Sequence, residues 1–171
     1  ATSSSRTLTW VVTDANSDGA GAATSSGVTS SISLTSGSDN PVVTAGATLA
    51  YTENETATVI DNTINISDAD DTHLASSIVT VSSGFTIGDV LTFSSQNGIS
   101  GTFDSSNGVL TISGTATLSN YQTALRSITF NSTSEDPTIT ASNRTLTWVV
   151  TDANSDGAGA ATSSGVTSTI N

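Results

Sequence analysis

The side chains that could do chemistry are almost all oxygen donors. Of 171 residues, fifteen are Asp or Glu, against three Arg, no Lys and one His, for a formal net charge of −12. The acids fall in loop-like stretches: Asp39-Asn40, Asp68-Ala69-Asp70-Asp71, Asp152 to Asp156, Glu53 with Glu55, and Glu135-Asp136. Cys is absent, so disulfides and thiolate metal sites are excluded. An oxygen-only donor set suits a hard cation, and Ca²⁺ takes about six to eight oxygens in flexible geometry. The plainer alternative is solvation, because acids belong in exposed loops with or without an ion.

Two further motifs bear on chemistry. Asp14-x-Asn16-x-Asp18-Gly19 returns as Asp152-x-Asn154-x-Asp156-Gly157. The spacing is similar to the first half of an EF-hand loop, but Ser25 and Ser163 stand where the bidentate Glu belongs. It reads better as an Asx-rich turn whose aspartates assist a neighbouring site. His73 is the single histidine and has no Cys or evident nucleophile to work with, so it reads as a surface-loop residue. No triad and no acid–base pair is evident, and the chain is expected not to be an enzyme. The negative surface disfavours nucleic acid and anionic membranes as partners. Nothing resembles the roughly eighteen-residue apolar run that spans a membrane, so membrane insertion is not expected.

The elements that must position these acids are strands. Arg6–Thr13 alternates, with Leu8, Trp10 and Val12 on one face, and Val28, Ile32 and Leu34 mark a second strand. Further strands are expected at 42–52 (A), 63–67 (B), 77–81 (C), a middle set over 90–112, 127–131 (E), 144–151 (F) and 166–171 (G). Leu118, Tyr121 and Leu125 break the alternation at helical spacing, which predicts one short helix over 118–126 with Ser119 as its N-cap. This pattern predicts an all-β, Greek-key antiparallel β-sandwich with the helix on a crossover. If the middle set keeps parity, the linker before A, the B–C loop and the F–G loop share one end. That end would gather Asp39, Asn40, Asp68, Asp70, Asp71, Asp152 and Asp156. Glu53, Glu55, Glu135 and Asp136 would go to the other.

One stretch organises the whole chain. RTLTWVVTDANSDGAGAATSSGVTS occupies 6–30 and again 144–168, without one substitution, at an offset of 144 − 6 = 138 residues. An offset this long is a whole domain, so the chain reads as part of a tandem array. Residues 1–37 are then expected to be the C-terminal hairpin of a preceding repeat, and 38–171 one complete module. On that reading the chain begins inside a repeat, and its start says nothing about export. The first hairpin has no sandwich of its own to enter. It either frays or finds a groove in another chain. Alternation assigns Trp10 and Trp148 to a core alongside Leu8 and Leu146.

Asp39-Asn40-Pro41, Glu53-Asn54, Asp68-Ala69-Asp70 and the run Asn120-Tyr121-Gln122 through Ala124-Leu125-Arg126 to Ile128 carry a family resemblance. Across 38–171 the chain resembles the cadherin-like, immunoglobulin-type repeat domains of giant bacterial RTX and biofilm adhesins. The resemblance implies Ca²⁺ at interdomain linkers, held by Asp39, Asn40, Asp68 and Asp70, with Glu53 serving the next junction. The linker is shorter than the Asp-x-Asn-Asp-Asn pattern of animal cadherins, which implies fewer ions per junction. It further implies an extender on the bacterial cell surface whose partners are neighbouring repeats. A carbohydrate- or surface-binding module of the same kind of adhesin is the alternative. It would need exposed aromatics, and the chain has eight aromatic residues in all, 2 Trp, 2 Tyr and 4 Phe.

Overall fold

Strand β12 (Arg144–Asp152) sits inside the main sheet, and its sequence shows why. Arg144, Leu146, Trp148, Val150 and Asp152 are buried, while the residues between them are half-buried. Such strict alternation specifies register, because a one-residue slip would turn every apolar side chain outward. In this computed structural model, which describes residues 3–171, β12 pairs with β7 (His73–Ser83) on one edge and β13 (Val166–Ile170) on the other. β4 (Thr48–Leu49), β10 (Val109–Thr117) and β9 (Ser100–Asp104) complete a six-stranded sheet in the order β4-β13-β12-β7-β10-β9.

The facing layer comes from shorter strands. β5 (Thr58–Val59), β11 (Thr129–Ser132) and β8 (Asp89–Thr92) form one sheet in the order β5-β11-β8, and β3 (Val42–Thr44) pairs with β6 (Asn65–Ser67). Val43, Ile64, Ile66, Leu91 and Phe130 of this layer share one core with Leu74, Val79, Leu110, Ile112, Leu146 and Trp148 of the other. The protein is therefore an all-β sandwich. Among the described residues every strand pairing is antiparallel except Thr48–Leu49 beside Thr169–Ile170. Strand A thus begins in one layer as β3 and ends in the other as β4, turning at Gly46 between them.

The helix α1 (Leu118–Arg126) crosses from β10 to β11, between the two layers. Its N-cap is Thr117, not Ser119: the Thr117 hydroxyl accepts the Asn120 N–H at 3.2 Å. Thr117 is still extended, as an N-cap must be, whereas Ser119 already lies inside the helix. Tyr121, Ala124 and Leu125 are buried. Gln122 and Arg126, one turn apart, bond the β6 segment: Gln122 Oε1 accepts from Ile66 N–H at 3.1 Å, and Arg126 Nε donates to Ile64 O at 2.6 Å. The helix thereby satisfies backbone groups that would otherwise be stranded beside a short strand.

The chain divides into two compact units, Ala1–Gly37 and Ser38–Asn171, with Ala1 and Thr2 outside the described residues. The first unit is a hairpin of β1 (Ser3–Trp10) and β2 (Val28–Thr35). Its apolar residues correct the expectation of a core: Leu8 is 36% exposed, Trp10 57% and Val12 72%, whereas Leu146, Trp148 and Val150 are fully buried. Identical sequence thus meets two environments. Among the described residues, no helix is long and apolar enough to cross a membrane.

Candidate metal centre

The B–C loop (68–72) and the F–G loop (153–165) meet at one end of the sandwich. A β-bulge at the start of β7 lets Leu74 pair with Asp152 after a register shift, and Ala153 N–H donates to His73 O at 3.0 Å. Asp68 folds its own loop: Oδ1 accepts the N–H groups of Asp70 and Asp71 at 3.2 and 3.1 Å. Asp71 reaches across: its Oδ1 accepts the Ser155 hydroxyl and N–H, and the Asp156 N–H at 3.2 Å. The linker joins through Asp39 N–H, which donates to Asp70 Oδ2 at 2.9 Å.

One oxygen of each of these acids is left over. Asp68 Oδ2, Asp70 Oδ1, Asp71 Oδ2 and Asp156 Oδ2 are buried without a hydrogen-bond partner, and so is Ser38 Oγ. All five belong to the linker and the two loops that meet here. A buried polar atom left unpaired costs about 1–3 kcal/mol, more when charged, and a cation could offset that cost for the unpaired carboxylate oxygens. The geometry fits. Carboxylate oxygens of Asp68, Asp71 and Asp152 lie within 4.8 Å of one another, and oxygens about 2.3–2.6 Å from one ion lie at most about 5 Å apart. The three-aspartate cluster could therefore hold a metal ion.

The electrostatics agree. Burial pushes the Asp68 carboxyl up, and the neighbouring Asp70 charge adds to it. The Ser155 hydroxyl beside Asp71 holds that carboxyl below the ordinary carboxylate value. Protein donors thus favour the charged form of Asp71, while at Asp68 burial and the neighbouring acid outweigh the two N–H groups it accepts.

Asp152 contributes differently. Its Oδ1 accepts Asn154 N–H at 2.9 Å and its Oδ2 accepts Ala161 N–H at 2.6 Å. The first hairpin repeats the arrangement: Asp14 accepts from Asn16 at 2.9 Å and Ala23 at 3.1 Å. Positive φ falls on Asn16, Gly19 and Gly21 in one copy and on Asn154, Gly157 and Gly159 in the other. The Asp-x-Asn-x-Asp-Gly motif therefore closes its turn with its own backbone, with or without a sandwich around it.

The remaining sequence candidates are placed as follows. Asp39 and Asn40 sit at this end with exposed side chains, and Asp39 engages through its N–H. Glu53, Glu55 and Asp136 lie at the opposite end, where Tyr51 N–H donates to Asn171 O. There Glu55 Oε2 accepts Thr52 N–H at 3.0 Å, and Asp136 Oδ1 accepts the Thr138 hydroxyl at 3.0 Å. Glu53, Glu135 and Asp136 line a recess of about 280 Å³ with Tyr51, Phe130 and Ile170. His73 is half-buried, with Nδ1 2.9 Å from the Thr72 hydroxyl.

Two buried acids escaped the sequence reading. Asp61 accepts from Gly46 N–H, Ala47 N–H, the N–H and hydroxyl of Thr63, and the Ser168 hydroxyl. Burial alone would push this carboxyl up, but those donors outweigh it and hold it well below the usual carboxylate range. Asp89 forms a bidentate pair with Arg144, at 2.6 Å from Nε and 3.2 Å from Nη2. The signal for it was present: Arg144 shares the inward parity of Leu146 and Trp148, and an inward guanidinium requires a buried counter-charge.

Among known proteins, the chain is similar to halomucin from Haloquadratum walsbyi (strain DSM 16790 / HBSQ001), 32% identical over 108 residues. The match covers 60% of this chain and 1% of that protein, so the chain spans about one hundredth of its relative's length. No family model matches the chain. No solved structure matches it at comparable stringency.

Proposed function

We propose that residues 38–171 are a spacer module of a large extracellular repeat protein, and that Ca²⁺ locks the linker end of each module. The observation that carries this reading is the set of five unpaired buried oxygens where the linker meets the two loops. Asp68, Asp71 and Asp152, whose carboxylate oxygens lie within 4.8 Å of one another, would hold the ion, and the unpaired oxygens of Asp70, Asp156 and Ser38 belong to the same loops and linker. When bound, the ion offsets the mutual repulsion of these carboxylates and fastens linker, B–C loop and F–G loop to each other. No substrate and no reaction are assigned to the module.

Two further observations support the array. The 25 identical residues at 6–30 and 144–168 are what a barely diverged tandem repeat leaves in a sequence. On this reading residues 6–34 are the last two strands of a preceding module. The similarity to one hundredth of a very large protein fits a module used many times over. Glu53, Glu135 and Asp136 would then face the next module's linker. A bare linker containing Gly37 is flexible, and a linker tied to Asp70 is a fixed joint. Small-angle scattering on a four-repeat protein tests this. The expected result is a longer particle in Ca²⁺ than in EDTA, and equal dimensions in the two states would refute the spacer reading.

A further inference from the structure

The recess beside Asn171 has an apolar floor whose polar groups are already engaged. Tyr51 and Phe130 meet there edge to face, with ring centroids 5.0 Å apart, next to buried Ile170. The Tyr51 hydroxyl accepts Ser132 N–H at 3.0 Å and donates to Glu55 O at 3.1 Å. Arg144, which also lines the recess, is held by Asp89, Ala141 O and Pro137 O. The exposed acids Glu53, Glu135 and Asp136 in its lining disfavour an anionic occupant. What the floor still offers is apolar surface, so an uncharged aliphatic side chain suits it.

The repeat says which side chain belongs there. At the repeat's offset of 138 residues, Ile170 matches Ile32 and Asn171 matches Ser33, so Leu34 marks the position one step past Asn171. In the first hairpin Leu34 pairs with Ser4. The counterpart of Ser4 is Ser142, and Ser142 lines the recess. The other edge of β13 gives the same answer. β13 runs parallel to β4, with Thr169 beside Thr48 and Ile170 beside Leu49, and Tyr51 N–H donates to Asn171 O at 2.8 Å. One step past Asn171 therefore falls beside Tyr51, on the recess floor. Parity agrees: alternate residues of a strand share a face, and Ile170 is buried in the core. Both registers and the parity direct this one position into the recess.

We propose that the recess is the seat of the linker leucine that follows it in the array, the counterpart of Leu34, and that the last strand runs on through this residue to pair with residues 141–143. The proposal rests on the tandem-array reading and names the contact by which a module grips the linker leaving it. Each linker would then be held at both ends: by its leucine in the module it leaves, and by Asp39 N–H on Asp70 in the module it enters.

The test compares three proteins in one Ca²⁺-containing buffer: the full chain, the full chain extended after Asn171 by a copy of residues 34–37, and the same extension with alanine in place of the copied leucine. The readouts are thermal unfolding and amide hydrogen exchange. The leucine extension should melt about 5–10 °C above the alanine one, the range expected for burying one leucine side chain. It should also slow exchange at Ser142 and Asn143. Two extensions that melt together would overturn the proposal. So would a leucine effect on melting without slower exchange at 141–143, which would place the side chain elsewhere. Neither result depends on the scattering comparison of four repeats, so the seat can fail while the spacer reading stands, and the spacer reading can fail while the leucine still seats.

Discussion

Asp89→Ala should be among the most damaging single changes in the module. Asp89 is fully buried, and its two oxygens hold Arg144 in a fork. Asp89 Oδ2 also accepts Thr86 N–H at 2.9 Å. Arg144 keeps two other acceptors, Ala141 O at 2.8 Å and Pro137 O at 2.6 Å, but neither is charged. Removing the carboxylate therefore strands a guanidinium in the core, which costs about 3–5 kcal/mol. For a domain of this size about 1 kcal/mol moves Tm by roughly 3–5 °C, so the expected drop is about 10–20 °C. Arg144→Ala should cost a comparable amount. The double variant should cost less than the sum of the two, because the second change removes the charge the first one stranded. Arg6→Ala supplies the control: same flanking sequence, exposed side chain, and an expected change within about 0.5 kcal/mol. The assay is thermal unfolding by far-ultraviolet circular dichroism. Additive losses, or a drop no larger than that of Arg6→Ala, would show that the pair does not hold the two layers together.

Two smaller predictions follow from local structure. Thr117→Ala should cost about 1 kcal/mol through loss of the helix cap, and Ser119→Ala should be close to neutral; chemical denaturation of both settles which residue caps the helix. Asp61→Asn should weaken the module at neutral pH and flatten its acid limb. The Asp61 carboxyl is held below its unfolded value, so its contribution is complete above the unfolded pKa and fades as pH falls toward the folded one. The stability gap between wild type and variant, read from denaturation at a series of pH values, should narrow below about pH 4; a gap that widens there contradicts the sign.

Much of the fold was legible because β-strand alternation and helix periodicity are local signals. The run from Arg144 to Asp152 declares its inward face by parity alone, and Leu118, Tyr121 and Leu125 mark the helix at 118–126. The loop sorting rested on the middle set of strands keeping parity, which sequence leaves open; the bonds from Asp71 to Ser155 and from Asp39 N–H to Asp70 are what bring the linker and the two loops together. What stayed hidden depends on partners distant in sequence. Asp61 and Asp89 look like loop acids until Gly46, Ser168 and Arg144 are folded against them. β5, two residues long, has no periodicity to read. In the site, the sequence supplied the carboxylates but not their division of labour. Asp152 spends both oxygens on its own loop, whereas Asp71 keeps one free, and that difference lies in three-dimensional contacts alone. The burial of Trp148 beside the exposure of Trp10 makes the same point: one sequence, two fates, decided by what the rest of the chain offers.

The most direct test of the metal centre is the module's unfolding temperature in EDTA and in Ca²⁺, for wild type and for Asp71→Ala. An ion bound only by the folded state adds about 2.7 kcal/mol at a hundredfold excess over Kd, which for this domain is a rise of roughly 10 °C. Asp71→Ala removes a buried free oxygen together with the anchor for Ser155, and should abolish most of that rise. A wild-type transition that stays at one temperature in EDTA and in Ca²⁺ would contradict the assignment of Ca²⁺ to this site.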